Sequence, residues 1–511
     1  MVGRRGTAVE RFGPRPTVAE PSNINHCLPT FDSIGMRIGQ TSFVTFVSKF
    51  LASGAGFVGT IVFARLLGAD VLGRYYLLLS IVAWLALAGT LGFESAIAKR
   101  LSEGEDRGAY KVAGGLCMAA LTGSIVVLLF LGEGLVEQLF DIRRVEFVAV
   151  LLLVGVASSY VDSMLNGVHL VHVASSLRPV RQIVRTALQV GGILLSFGLA
   201  ALVYGYAAGS LVVVVVGLYF VGRPYRLPTR AHFESLYEYA RYAWLGRIRG
   251  KTFNQADVLV LGVFVSDELV GVYAITWSLA NFLIIFSNAI SSALFPELSK
   301  LSAEDSFERV SSLVEDSFAY AGLFTIPGLV GGVLLSDRLL QIYGSEFLKG
   351  TEVLWLLIVA VLVYGYQSQI VNALSGIDRP GEAFKVNAVL VVSNVVLNFA
   401  LIWQYRIRGA AVATATSVVL SFVVGYFVLR SHVSVSLPVK RIGTQVVAAA
   451  GMGVVVATVE RVARPVFPLV DPTATAALLV VVGALAYFAL LWALSGEFRT
   501  VVRENAPAIG L

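Results

Sequence analysis

The sequence predicts an all-α integral membrane protein of about 14 transmembrane helices, on three observations. Apolar residues make up 57% of the 511 and charged residues only 14%, with a mean hydropathy of +0.78; ordinary soluble domains carry roughly 25% charge. The apolar residues come in blocks of about 20, the length at which a helix crosses a bilayer. Lys and Arg gather on alternate loops, as cytoplasmic segments do.

The blocks place spans at 42–64, 75–97, 112–132, 147–168, 182–203, 206–222, 240–265, 270–295, 314–336, 353–376, 384–404, 410–429, 442–460 and 473–494. The fifth and sixth nearly merge around Tyr204-Gly205-Tyr206. Of the 39 basic residues, 28 fall on alternate segments that include both termini, 10 fall on the others, and Lys49 lies within the first span. That split predicts a multi-pass protein of the cytoplasmic membrane with both termini in the cytoplasm.

Residues 1–35 hold Arg4, Arg5, Arg11 and Arg15 with no apolar run behind them, so they are not a secretory signal. Pro14, Pro16, Pro21 and Pro29 predict a disordered tail, and Met36 offers a second start site directly before the first apolar block. The net charge of +6 is spread in short clusters between apolar blocks, which excludes a nucleic-acid-binding face. With only Cys27 and Cys117, there is no disulfide framework and no cysteine metal site. His169 and His172 form H-x-x-H without a glutamate, and no GxxxxGK[ST] occurs, so neither a metal centre nor ATP hydrolysis is expected.

An internal repeat groups the spans. LLGADVLGRYYLLLSIVAWLALAG matches FVSDELVGVYAITWSLANFL, with Gly73-x-Tyr75 on Gly271-x-Tyr273 at an offset of 198. LVYGYAAGSLVVVVV and QYRIRGAAVATATSVV correspond at about the same offset, each read as a tight turn opening a span. The expected organisation is a disordered basic tail over 1–36, an N-lobe over 37–222, a cytoplasmic linker over 223–235, a C-lobe over 236–430, and an extra helix pair with a tail over 431–511. Two parallel six-span repeats are a transporter architecture, with substrate held between them.

Ionisable groups inside spans are costly and mark sites or interhelical pairs. Lys49 either snorkels to the interface or faces a substrate phosphate. Arg178, Arg181 and Arg185 form one stripe at i, i+3 and i+7, suited to a pyrophosphate headgroup or to cytoplasmic anchoring. Arg247 and Lys251 belong to the richest basic stretch, Arg223 to Lys251, where anionic-lipid attraction competes with headgroup binding. Asp257 opens the apolar run of the seventh span; a basic residue of another helix is its expected partner, and a coupling cation is the rival. Glu94 is expected to pair with Lys99 or Arg100. Asp162 and Asn166 share a face, in helix packing or in a cavity. Asn281 with Asn288, and Asn387 with Asn394 and Asn398, line helix faces; such amides bind sugar hydroxyls or hold helices together. Pro327-Gly328 is a hinge candidate in the ninth span.

The segments FARLLGADVLGRYYLLLS, GFESAIAKR, ADVLVLGVFVSDELVGVYAITWSLANFL, FPELSKL and VSNVVLNFALIWQYRIRGAAVATATS resemble the Wzx-like oligosaccharide-lipid flippases of the multidrug/oligosaccharidyl-lipid/polysaccharide exporter (MOP) superfamily. The resemblance covers most of residues 37–430. It implies two six-helix lobes in a V around a central cavity, an acidic residue at the place of Asp257, and no enzymatic activity or cofactor. The implied partners are a lipid-linked (pyrophosphate) oligosaccharide, membrane lipids, and glycosyltransferases or a polymerase of the same pathway. A cation-coupled multidrug exporter of that superfamily is the second reading. A membrane polymerase or glycosyltransferase is the third, disfavoured by short external loops.

Overall fold

The computed structural model describes residues 38–222, 226–244, 248, 250–304, 306–466 and 472–509. The tail, the Met36 expectation and Arg247 lie outside them. The described chain is helical, and nine helices are long and apolar enough to cross a membrane.

The first two expected spans are one element. α1 (Ile38–Thr90) would be about 80 Å long if straight, more than twice the hydrocarbon thickness. Its only non-helical residue is Gly68, at φ 78° and ψ 175°. The predicted loop over 65–74 is therefore helical on both sides of a one-residue bend, which glycine permits because it has no Cβ to clash at positive φ. α2 (Phe93–Glu103), α3 (Arg107–Leu131), α4 (Glu133–Phe140) and α5 (Val145–Gly167) follow.

α6 (Val171–Leu194) and α7 (Leu199–Val221) correct the reading near Tyr204. The chain turns at Leu195–Gly198, where Ser196 and Gly198 have φ of 65° and 53°. Gly205 lies within α7 and lets it approach Gln189 of α6 closely. Small residues that read as a turn are a helix-packing face.

α8 (Arg230–Ala243) is capped by Thr229 with His232 and packs on α2 and α3. Within the expected seventh span a π-helix (Thr252–Ala256) runs without interruption into α9 (Asp257–Phe264). The eighth divides at Leu283 into α10 (Asp267–Phe282) and α11 (Ile284–Ala303). α12 (Phe307–Gln341), a 3-10 turn (Ser345–Gly350) and α13 (Thr351–Gly376) come next. α14 (Pro380–Arg430) joins the eleventh and twelfth expected spans across the single non-helical residue Arg406. α15 (Val439–Val466), α16 (Pro472–Leu494) and α17 (Gly496–Ile509) complete the chain.

The repeat has a physical counterpart. The second arm of α1 packs along α10, and the two repeat glycines meet. A Cβ on Gly73 would lie 1.8 Å from the Asp267 carbonyl oxygen, and one on Gly271 would lie 2.0 Å from that of Ala69. Residues 69 and 73 map onto 267 and 271 at the same offset of 198, so the crossing is reciprocal, as at a two-fold axis.

Polar contacts surround this crossing. Arg74 Nε donates to Asp267 Oδ2 at 2.7 Å, and Glu346 accepts from the Ala69 backbone N–H at 3.0 Å. Arg65 donates to the Ile342 carbonyl and to Thr473 at 2.8 and 2.9 Å. Lys349 Nζ donates to Glu268 at 2.5 Å. We call this end the latch. At the other end α2 packs on α3 and α5 and also on α8, which joins the halves, while α11 packs on α12 and α13.

Candidate functional site

Two polar clusters inside the bundle, one in each half, are each built on a tyrosine of the repeat. In the second half, Asp257 begins α9 directly after the π-helix and is 4% exposed. Its Oδ1 accepts from Asn398 Nδ2 at 2.6 Å and from Asn394 Nδ2 at 3.4 Å. Its Oδ2 accepts from Thr414 Oγ1 at 2.6 Å and from the Tyr273 hydroxyl. α14 supplies three of these donors, Asn394 and Asn398 before its bend and Thr414 after it.

The expected basic partner for Asp257 is corrected: among the described residues its hydrogen-bond donors are neutral. A buried carboxylate without a countercharge is costly even when fully hydrogen-bonded. It is relieved by a proton or by a cation with oxygen ligands. The Asn398 side-chain oxygen is buried without a hydrogen-bond partner. The described residues contain no group of three or more His, Cys, Asp or Glu that suits a transition metal.

In the first half the tyrosine is Tyr75, and its hydroxyl accepts where that of Tyr273 donates. Arg185 Nη2 and Gln189 Nε2 reach it at 2.5 and 3.1 Å. The Arg185 guanidinium lies 4.4 Å over the Tyr206 ring, a cation–π arrangement. Gln189 also donates to the Leu202 carbonyl at 2.7 Å. Arg178 and Arg181 occupy the same stripe, half-buried, within electrostatic reach of Asp162 on α5. The stripe thus faces the interior of the first half, and Arg185 is already committed to two tyrosines.

The remaining expected residues are dispersed. Lys49 falls in α1 among residues whose side chains are not described. Lys251 is half-buried directly before the π-helix, and Asn281 is half-buried on α10. Pro327 sits in the unbroken helix α12, and Gly328 packs against Leu283, the joint between α10 and α11. Lys99 and Arg100, the expected partners of Glu94, pair with Glu103 at 3.3 and 3.0 Å. The Arg100 guanidinium beside it holds the Glu103 carboxyl below its ordinary pKa.

Sequence reasoning missed several residues. Tyr75 and Tyr273 were the conserved step of the internal repeat, and that duplication was the signal for them. Thr414 gave no signal, because a threonine in the small-residue run AVATATS is unremarkable. Lys111, just outside the expected span over 112–132, is 4% exposed and donates to the Val221 and Gly222 carbonyls at 3.1 and 3.2 Å, capping α7.

Comparison with known proteins places this geometry. The model of the family described as "Polysaccharide biosynthesis protein" matches residues 38–302, and that of the MatE family matches residues 251–400. "Probable flippase AglR" of Haloferax volcanii is 29% identical over 475 residues, covering 92% of this chain and 98% of the relative. "Lipid II flippase MurJ" of Bacillus subtilis is 25% identical, covering 88% and 93%. Among solved structures, a lipid II flippase MurJ in an inward closed conformation superposes with a TM-score of 0.71 at 17% identity, covering 90% and 100%. An inward-facing multidrug transporter of the MATE family reaches 0.58 at 14%, covering 74% and 95%.

Proposed function

The chain belongs to the polysaccharide biosynthesis protein family of the MOP superfamily, and from that premise we propose that it is a flippase translocating a lipid-linked oligosaccharide across the cytoplasmic membrane by alternating access. The observation that carries the transport mechanism is the one-ended closure. The halves lock at the latch around Gly73 and Gly271, while at the other end α2 packs on α3, α5 and the connecting helix α8, and α11 on α12 and α13. A duplicated protein that closes at one end can rock to close at the other. The near end-to-end likeness to proteins named as flippases supports the substrate class.

In this reading the latch is extracytoplasmic, as the loop charges favour, and both termini are cytoplasmic. The helices group as an N-lobe, a C-lobe and a terminal pair. Arg178 and Arg181 hold the pyrophosphate entering from the cytoplasm, with Arg185 fixed behind them on Tyr75 and Tyr206. The sugar crosses in the hydrated space between the lobes while the lipid tail stays in the bilayer. Asp257 takes up a proton or a cation in one conformation and releases it in the other, which supplies a coupling step. Glycosyltransferases and a polymerase of the same pathway would act before and after it.

The test is a sided assay in proteoliposomes with a fluorescent lipid-linked sugar. Replacing both Arg178 and Arg181 by alanine lowers translocation at least tenfold. An unchanged rate would remove the headgroup role. Protection of a fluorescent drug gradient without movement of the lipid-linked sugar would favour the multidrug reading.

A further inference from the structure

At the latch end of the first half, the α4–α5 connection and the start of α7 enclose a cavity of about 500 Å³ against the second arm of α1. Three arginines line it, Arg74, Arg143 and Arg144, against one carboxylate, Asp141; Phe147 and Phe197 contribute to its apolar wall. Arg143 approaches Glu137 and Asp141 only at 3.7 and 3.9 Å, in solvent-exposed pairs that hold it weakly. The Arg144 guanidinium lies 5.5 Å from the Phe147 ring centre, and among the described residues it forms no salt bridge. Among the described residues Arg144 is therefore without a countercharge and Arg143 only loosely compensated, while Arg74 is held by carboxylates.

Arg74 belongs to two places at once. It lines this cavity, and its Nε donates to Asp267 Oδ2 at 2.7 Å across the latch. Its other carboxylate, Asp70, is one helical turn away on its own helix at 3.8 Å. Burial pushes the Asp267 carboxyl up from its ordinary pKa against the pull of Arg74.

We propose that this cavity is a binding site for a phosphoryl anion at the extracytoplasmic face, and that the bound anion draws Arg74 away from Asp267 and so releases the latch. This rests on the flippase reading for the side of the membrane it faces. Guanidinium groups take phosphate oxygens in two-pronged hydrogen bonds, and three of them around one cavity match a pyrophosphate. Phe147 and Phe197 suit the first carbons of a lipid chain beside it. An anion that takes the Arg74 guanidinium competes with Asp267 for its charge, so anion affinity and latch opening are linked, and by the same factor in both directions. The anion is either the pyrophosphate of a delivered headgroup or free phosphate from the medium.

The experiment is calorimetric titration of the full chain, in nanodiscs of zwitterionic lipid, with inorganic pyrophosphate. Arg143→Ala with Arg144→Ala weakens binding at least tenfold, and the corresponding double Lys variant recovers part of the loss. Asp267→Asn tightens binding several-fold, and that gain disappears when Arg74→Ala is added. Binding that ignores the Arg143/Arg144 replacements overturns the site; binding that ignores Asp267→Asn overturns its link to the latch. Farnesyl pyrophosphate distinguishes the sources: tighter binding than inorganic pyrophosphate assigns the site to the lipid headgroup, and equal binding assigns it to the free anion. The titration requires no transport, so a protein that binds here yet moves no lipid-linked sugar sinks the flippase reading and leaves the site standing.

Discussion

Replacing Gly73 with alanine puts a methyl carbon 1.8 Å from the Asp267 carbonyl oxygen, 2.6 Å from the carbonyl carbon and 2.9 Å from the Gly271 nitrogen. All three are backbone atoms, so no side chain can swing away. A close carbon–oxygen contact needs about 3.3 Å, so α1 and α10 must part by about 1.5 Å where they cross. Overpacking of this kind costs about 1–3 kcal/mol. Alanine is the better helix former, but that gain is the same in every conformation with an intact helix and cancels from their equilibrium. The latched state therefore loses roughly fivefold to a hundredfold in population relative to the open one. Gly271→Ala, which meets the Ala69 carbonyl at 2.0 Å, should act with the same sign. Spin labels at Leu66 and Leu348, both exposed near the latch, report the separation by pulsed electron resonance. The short-distance population should fall in both variants. Distance distributions identical to the parent would refute the glycine crossing as the contact that holds this end closed.

Three further outcomes follow from the geometry. Asp257→Asn replaces an acceptor of four hydrogen bonds by a neutral amide; it should cost about 1–3 kcal/mol and stop flipping, while a parental flipping rate would show the carboxylate to be purely structural. Tyr75→Phe removes the acceptor shared by Arg185 and Gln189 and should lower thermal stability by about 1–3 kcal/mol, read from the unfolding midpoint in detergent; no shift would mean that these groups find other partners. Arg74→Asp and Asp267→Arg should each open the latch, and the double exchange should restore closure. The double-mutant coupling should be about 1 kcal/mol or less for a half-exposed pair, and an uncoupled pair would exclude Arg74 from the latch.

What composition and pattern determined is the membrane class, the helical fold and the duplication. Bilayer physics makes this so: a span must satisfy its backbone internally and present apolar side chains, which leaves a long, legible block. The repeat was legible because a shared Gly-x-Tyr step survived in both halves. What only the tertiary structure decided are matters of contact between distant segments. Gly68 bends one helix into two arms while Gly205 packs inside another, and both look alike as glycines in apolar sequence. Asp257 has neutral partners 137 to 157 residues away on α14, at separations no local pattern reveals. Arg185 belongs to a stripe by its spacing, yet its hydrogen bond to Tyr75 and its place over the Tyr206 ring separate it from Arg178 and Arg181. The two tyrosines carry the same repeat position into opposite chemistry, one accepting from a guanidinium and the other donating to a carboxylate. Periodicity specifies which face of a helix a residue occupies; only packing specifies what that face meets.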